Sequence, residues 1–261
     1  MVAAGRREAI LALSQQGGEL RVDEMARQFN VSRETMRRDL DLLQSQGLLR
    51  RVHGGALPAQ TGAEAGFRQR LVANAEAKQK IAELATRLFH RDDTLFIDTG
   101  TTTLMLAAAL ASSNRLTVIT NSVGVAKLMG GSSVDHRVYV VGGEYRADTD
   151  QMLGSASVAQ IEQYRADHAV FSCGALDRDG TLMDFDLEEA MFAKAIIAQA
   201  RSATLIIDST KFDRIAIAKI CDLAPISRVV TDRPPPPHYV ELFRVNDVEL
   251  LVAEDAPAPQ P

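Results

Sequence analysis

Arginines and hydroxyls concentrated in two short stretches give this chain its first chemical signal. Ser32, Arg33, Thr35, Arg37 and Arg38 fall within one run of seven residues, and Arg50, Arg51, His53 and Gly54 follow closely. A guanidinium presents a planar fork of donors that matches a phosphate or the edge of a guanine, and hydroxyls add single hydrogen bonds. The pattern suits double-stranded DNA. Ser32, Arg33, Thr35 and Arg37 are expected to reach base edges or nearby phosphates, while Arg38, Arg50, Arg51 and His53, with Gly54 in the same ribbon, hold the backbone.

A second set of residues is spread over the body of the chain: Asp98-Thr99-Gly100-Thr101-Thr102-Thr103, Thr120-Asn121, Gly142-Gly143 with Arg146, and Asp208 with Lys211. Hydroxyls, a glycine that lets backbone approach, and the start of a helix together make an anion site, and Lys211 adds a cation. The stretch from Asp98 has neither the GK[ST] of a Walker loop nor a GxGxxG fingerprint, so no nucleotide cofactor is expected. A small phosphorylated ligand fits this chemistry.

The elements that must position these residues can be read from periodicity. Residues 6–16 form a first helix with Ile10 and Leu13 inward, stopped by Gly17-Gly18. Residues 22–29 form a second, with Val22, Met25, Ala26 and Phe29 on one stripe. Ser32 caps a third helix to about Gln46, on which Met36, Leu40 and Leu43 share the inner face while Glu34, Arg37, Arg38 and Asp41 point away. After Gly47, residues 48–55 read as two short strands or a ribbon. Three helices, a tight turn and an arginine-rich ribbon make a winged helix-turn-helix over residues 1–57. Residues 58–76 lack periodicity and read as a linker.

From residue 77 to 253 helical stretches alternate with short apolar strands, at 94–97, 116–119, 137–141, 168–172, 203–207 and 228–230, with a last strand near 248–252. Nearly continuous apolar strands are what a parallel sheet covered on both faces requires, so the fold class is α/β. Ligands of such sheets sit beyond the carboxyl ends of the strands, where the second set of residues falls. Pro234 to Pro237 read as a rigid surface connection, and residues 254–261 as a disordered tail.

Charge divides along the same boundary. The head carries nine arginines against seven carboxylates, a net +2, and the remainder carries -7 of the overall -5. A mildly basic head on an acidic body fits a protein that touches DNA at one end only. Neither a membrane span nor a secretory signal is visible, so a cytoplasmic location is expected. Cys173 and Cys221 lack CxxC spacing and are read as buried, inert thiols. The five histidines are scattered and are read as surface or capping residues, with His53 the exception. No metal site is expected.

The motifs Val31-Ser32-x-x-Thr35-x-Arg37-Arg38-Asp39-Leu40, Gly47 to Ala56, Asp98-Thr99-Gly100-Thr101-Thr102, Thr120-Asn121-Ser122, Gly142-Gly143-Glu144-x-Arg146 and Asp208-Ser209-Thr210-Lys211-Phe212 resemble the DeoR-type bacterial transcriptional repressors. The resemblance runs from about Arg6 to Asp232. It implies a sensor domain similar to ribose-5-phosphate isomerase and sugar-phosphate deaminases, a phosphorylated sugar or polyol as inducer, and repression by a homo-oligomer, dimer or tetramer. Residues 184–189 and 231–237 resemble the glycerol-3-phosphate regulon repressors within it. Lys211 and Thr101 to Thr103 would then grip the phosphate, Asp98 and Asn121 the hydroxyls or the neighbouring loop, and Gly142-Gly143 would leave room for the ligand. Many members carry a Gly-Ala-Asp-Gly-like turn where this chain has Ser172-Cys173-Gly174-Ala175-Leu176-Asp177, so no role passes to that turn.

Catalysis is the competing reading: an aldose-ketose isomerase or deaminase fused to a DNA-binding head. The acidic run Asp177, Asp179, Asp184, Asp186, Glu188 and Glu189 offers candidate bases. Asp186, Glu188 and Glu189 are better read as acids opening a helix, and the others as turn residues, so no enzyme is expected. The DNA reading makes a direct prediction. Arg37→Ala should cost about 1 to 3 kcal/mol of target affinity and relax sequence specificity, measured by fluorescence anisotropy across a salt series. Unchanged affinity and salt slope would reject the assignment.

Overall fold

A computed structural model of the chain describes residues 3–15, 20–45, 49–52, 54–58 and 64–253. The expected stop at Gly17-Gly18, the break at Gly47, His53, linker residues 59–63 and the tail lie outside the described residues. Contacts group the chain into two compact units, residues 1–73 and 74–261.

The first unit contains α1 (Ala3–Gln15), β1 (Leu20–Arg21), α2 (Val22–Gln28), α3 (Arg33–Ser45), β2 (Leu49–Val52), β3 (Gly55–Pro58) and α4 (Phe67–Val72). Ser32 Oγ accepts the Thr35 N–H at 3.0 Å, which caps α3 where one of its first unpaired donors would otherwise be lost. Ile10, Met25, Met36, Leu40, Leu43 and Leu49 form the core between the three helices and the sheet. Residues 20–21, expected as a plain link, pair with β3 through Leu20↔Ala56 and Arg21↔Gly55, so the ribbon is a three-stranded antiparallel sheet. Within the stretch read as a linker, Pro58 belongs to β3, residues 67–72 form α4, and Arg70, 2.9 Å from Glu64, steadies that helix.

Polar burial holds α1 to α3. The Arg6 guanidinium donates to Asp39 at 2.6 Å, Arg7 approaches the same carboxylate at 3.4 Å, and Arg6 and Asp39 are each only 7% exposed. Arg6 is therefore a structural cation rather than a surface one.

The second unit runs α5 (Ala75–Thr86), β4 (Thr94–Ile97), α6 (Thr101–Leu110), β5 (Thr117–Thr120), α7 (Val123–Gly130), β6 (Arg137–Val140), β7 (Glu144–Arg146), β8 (Gln151–Leu153), α8 (Ser155–Ile161), β9 (Ala166–Phe171), β10 (Ala175–Leu176), β11 (Leu182–Asp184), α9 (Leu187–Gln199), β12 (Ala200–Ile206), β13 (Ala218–Cys221), β14 (Arg228–Thr231), α10 (Pro237–Val245) and β15 (Glu249–Val252). Seven strands form one parallel sheet in the order β15-β14-β12-β9-β4-β5-β6. Two apolar clusters cover its faces, one around Phe96, Phe171 and Phe192, the other around Ile81, Leu95 and Leu106. Winding leaves β4 in one direction through β5 and β6, then restarts at β9 on its other side. By the general rule for open α/β sheets, the reversal between β4 and β9 makes their carboxyl ends the candidate ligand crevice.

Several features depart from the sequence reading. Pro237 does not extend a rigid connection. It opens α10, because its fixed φ and missing N–H suit the first helical position, and Tyr239 and Phe243 are buried from that helix. A β7–β8 hairpin and a small antiparallel sheet β10-β11-β13 were not anticipated, being too short for a periodicity signal. His168 is no surface residue. It packs edge-on against Phe89, with ring centroids 5.3 Å apart, and burial pushes its pKa down. Cys221 is only partly covered, yet desolvation raises its thiol pKa to about 11, and Cys173, fully covered, is raised further.

The Arg6–Asp39 pair yields a stability prediction. Asp39→Ala strands a buried guanidinium and should cost the head about 3 kcal/mol, seen as a lower unfolding transition of the full chain by calorimetry. A loss within about 0.5 kcal/mol, the size of an ordinary surface substitution, would show the pair to be dispensable.

Candidate functional site

The head presents its candidates on α3. Arg33, Arg37 and Arg38 are exposed, Arg33 lies 2.9 Å from Asp23, and Arg38 lies 3.4 Å from Glu34. Among the described residues Arg37 has no ion-pair partner, which leaves its guanidinium available to a ligand. Ser32 and Thr35 join their hydroxyls at 2.9 Å beside the helix start. Asp39 faces inward to Arg6 and Arg7 rather than outward beside the arginines of its own helix. Arg50 and Arg51 are in β2, paired with Leu57 and Ala56, and Gly54 lies in the hairpin connection, its carbonyl accepting the Val22 N–H at 3.0 Å.

In the second unit the reversal of winding places Asp98 at the end of β4, directly before α6. Asp98 is 7% exposed and Oδ2 accepts the Ser172 N–H at 3.3 Å, across the crevice from β9. Oδ1 has no hydrogen-bond partner among the described residues. The Thr103 hydroxyl, close enough to favour the ionised carboxylate weakly, donates to the Gly100 carbonyl at 3.1 Å. Burial holds the Asp98 pKa well above the carboxylate range, and Asp184 and Glu189 push it the same way. Thr101, Thr102 and Thr103 are buried in the first turn of α6, whose leading N–H groups have no intrahelical acceptor. A Cβ on Gly100 would sit 3.0 Å from Thr103 Oγ1, so glycine leaves room for that hydroxyl in the first turn of α6, while Ser172 Cβ, at 3.6 Å, stands at ordinary contact distance.

Thr120 and Asn121 build the next wall. Thr120 Oγ1 accepts the Ser122 N–H at 3.0 Å, turning the chain into α7. Asn121 is 1% exposed, accepts from Thr99 Oγ1 at 3.1 Å, and donates to Gln151 Oε1 at 3.4 Å and the Met152 carbonyl at 3.2 Å. Of its two expected roles, this geometry is the one of holding a neighbouring loop. Gln151 Nε2 continues to Glu189 Oε1 at 2.6 Å, reaching the start of α9.

Gly143, Arg146 and Asp208 are not brought to this crevice, whereas Lys211 stands near its β9 side. Gly143 leaves no room for a ligand: a Cβ there would fall 2.4 Å from the Leu153 carbonyl and 2.2 Å from Ser157 Oγ, so this glycine admits β8 and α8, whereas a Cβ on Gly142 would meet only the Gln160 amide at 3.4 Å. Arg146 is held by Glu144 at 3.1 Å, Asp186 at 3.8 Å and Glu188, and these carboxylates, Glu144 foremost, raise its pKa. Asp208 turns toward a separate cleft of about 280 Å³ beside α5, where it accepts from Thr210 N at 3.0 Å and Asn74 Nδ2 at 3.4 Å. Lys211 ends the 3-10 turn Ser209–Lys211, and its charge opposes the desolvation of Cys173 next to the crevice.

The sequence reading did not single out Gln151, named Ser172 only within a turn given no role, and read Asp184 and Glu189 only as acids of a turn and a helix start. Asp184 accepts from Phe185 N at 2.7 Å and Asp186 N at 3.4 Å, the local turn expected of it, and also from Gly174 N at 3.2 Å, which makes it a buried brace as well. Asp186 does cap α9 as expected, accepting from Glu188 N at 2.7 Å.

Two family models cover this arrangement. Residues 6–61 match the DeoR-like helix-turn-helix domain, and residues 73–233 match the DeoR C terminal sensor domain. The chain belongs to the DeoR family. It is 34% identical over 250 residues to the HTH-type transcriptional repressor CsqR of Escherichia coli (strain K12), covering 96% of this chain and 95% of that one. It is 32% identical to the glycerol-3-phosphate regulon repressor of the same organism, covering 94% and 97%, and 33% identical to the lactose phosphotransferase system repressor of Staphylococcus aureus (strain NCTC 8325 / PS 47), covering 87% and 91%. Among solved structures, ribose 5-phosphate isomerase A of Methanocaldococcus jannaschii is similar with a TM-score of 0.40 and 14% identity, covering 53% of this chain and 55% of that one. A DeoR-family chain with this head is a DNA-binding transcriptional regulator. No described helix is long and apolar enough to cross a membrane.

The Asp98 environment sets a pH dependence. An unfolded aspartate titrates near 3.8, and burial raises the folded value, so between the two the folded state keeps a proton that the unfolded state releases. Stability contributed at this site therefore falls as pH rises above about 4. Asp98→Asn removes that loss. Its melting temperature relative to the parent should rise from pH 4 to pH 7, and a difference that stays flat or shrinks would reject the assignment.

Proposed function

We propose that this DeoR-family regulator represses genes of sugar or polyol catabolism as a homo-oligomer, dimer or tetramer, and leaves its operator when a phosphorylated sugar or polyol binds at the carboxyl ends of β4 and β9. The observation that carries this is Asp98: a buried carboxyl with one unpartnered oxygen, beside a helix start lined by three buried threonines. The free N–H groups of α6 suit a phosphate, Lys211 adds a cation, and Asp98 suits a hydroxyl. The relatives at 32 to 34% identity include a glycerol-3-phosphate regulon repressor, which makes glycerol 3-phosphate a natural first ligand to try.

Binding without turnover is the reading for the acids. Asp184 spends its carboxylate on three backbone N–H groups, which suits a brace better than a proton-abstracting base. Purified protein should form no product from ribose 5-phosphate or glucosamine 6-phosphate. Oligomerisation is supported by charge: a head with a net +2 releases few counterions, so one copy binds weakly and several heads must share an operator.

Inducer and operator must then weaken each other's binding by the same factor. Lys211→Ala should keep operator affinity within about twofold and abolish release by phosphorylated ligands, measured by anisotropy with and without each member of a panel of phosphorylated sugars and polyols. Thermal shifts with glycerol 3-phosphate and with glycerol as the unphosphorylated control check direct binding. Equal shifts from both, or full induction of the variant, would overturn the reading.

A further inference from the structure

Between β12 and β13 the chain gives two isoleucines to solvent. Phe212 anchors the stretch against Tyr239, with ring centroids 4.9 Å apart, and the Tyr239 hydroxyl accepts the Asp213 N–H at 2.9 Å while donating to the Leu176 carbonyl at 3.0 Å. Beyond this anchor burial alternates. Ala216, Ala218 and Ile220 are buried, whereas Ile215 is 57% exposed and Ile217 77%, the most exposed large apolar side chain among the described residues. Ile215, Ile217 and the exposed Lys219 thus point away from the core. The stretch runs into β13, which ends the sheet β10-β11-β13 and pairs on one side only, with β11, among the described residues. Exposed isoleucines leading into an open strand edge invite a further chain to pair there.

We infer that residues 213–222 form a contact between two copies of this chain, packed antiparallel across a two-fold axis at Ile217. This rests on the proposed homo-oligomer and names its contact surface. Charge selects a second copy as the occupant. The chain beyond the head carries a net -7, so two bodies repel each other except where their surfaces are locally balanced. This stretch is balanced: Asp213 and Arg214 stand at its start, Lys219 and Asp222 at its end. An axis at Ile217 carries the start of one copy to the end of the other. Arg214 then meets Asp222, and Asp213 meets Lys219, at diagonal cross-strand positions that long side chains span. Each contact occurs twice by symmetry. A stable interface takes about 800 Å2 from each partner, so the isoleucines are its apolar centre and these charges part of its rim.

The test uses the full-length protein and reads particle mass by sedimentation equilibrium. Ile217→Asp puts two carboxylates against each other at the axis and should raise the dissociation constant at least tenfold, so that particles at micromolar concentration have half the parent's mass. Circular dichroism checks that the variant is folded. Ile217→Cys is the second arm. Residues opposite each other on antiparallel strands have Cα atoms about 4.5 to 5.5 Å apart, within disulfide range. With diamide as oxidant this variant should give a covalent dimer on a non-reducing gel that the parent, with only Cys173 and Cys221, does not give. An Ile217→Asp variant of parental mass, or an Ile217→Cys variant that does not cross-link, overturns this surface and leaves the homo-oligomer standing. A parent that sediments as a monomer overturns both, and if Ile217→Asp fails to fold the cross-link decides.

Discussion

The structure depends on a reversal of winding. Seven parallel strands must bury apolar residues on both faces, and right-handed crossovers carry the chain outward from β4 through β5 and β6. The chain can fill the other half of the sheet only by returning to β9. The loops after β4 and β9 then part in opposite directions, and nothing of the sheet fills the space between them. What lines that space is fixed by backbone geometry before any side chain is chosen: the end of β4, the start of α6 and the end of β9. Asp98 and Ser172 meet there because topology makes neighbours of residues 74 positions apart.

A buried carboxyl at that point opposes folding, since its charged form loses solvent and gains one backbone donor. The surrounding network offsets part of this cost by rigidity. Thr99, Asn121, Gln151 and Glu189 tie the β4 loop to the β7–β8 hairpin and to α9, so the loop is held whether or not Asp98 is satisfied. The head uses the same device for a different end. Arg6 and Asp39 are buried as a pair and fix the angle between α1 and α3, which leaves the outer arginines of α3 free of any packing duty.

Periodicity and capping made the head readable: the Ser32 cap, the Met36–Leu40–Leu43 face and the exposed Arg37 follow from local spacing alone. The α/β alternation was readable for the same reason, as was the loop from Asp98 to Thr103. Strand order was not, because it is a long-range property, and with it went the roles of Ser172, Asp184 and Glu189. Asp184 looked like a turn acid because the short strand β11 that carries it has no periodicity of its own. Gly143 misled in the opposite direction. Adjacent glycines signal close approach, but only the fold shows that what approaches Gly143 is Leu153 and Ser157 rather than a ligand. Tyr239 and Phe243 were hidden behind four prolines, although the last of these marks a helix start.

On the proposed reading, weak charge on the head and a costly acid in the crevice serve one regulatory end. Coupling between two sites in a protein is typically about 1 to 3 kcal/mol, a five- to 150-fold change in affinity. A head that bound its operator through many phosphate contacts could not be dislodged by so small a term. In the proposed oligomer, a head with a net +2 that shares its operator with other copies sits where that term decides occupancy. The ligand's half of the coupling must come from interactions that differ between bound and free states. An unpartnered Asp98 oxygen is such an interaction, because satisfying it returns desolvation energy that the ligand-free fold has already spent.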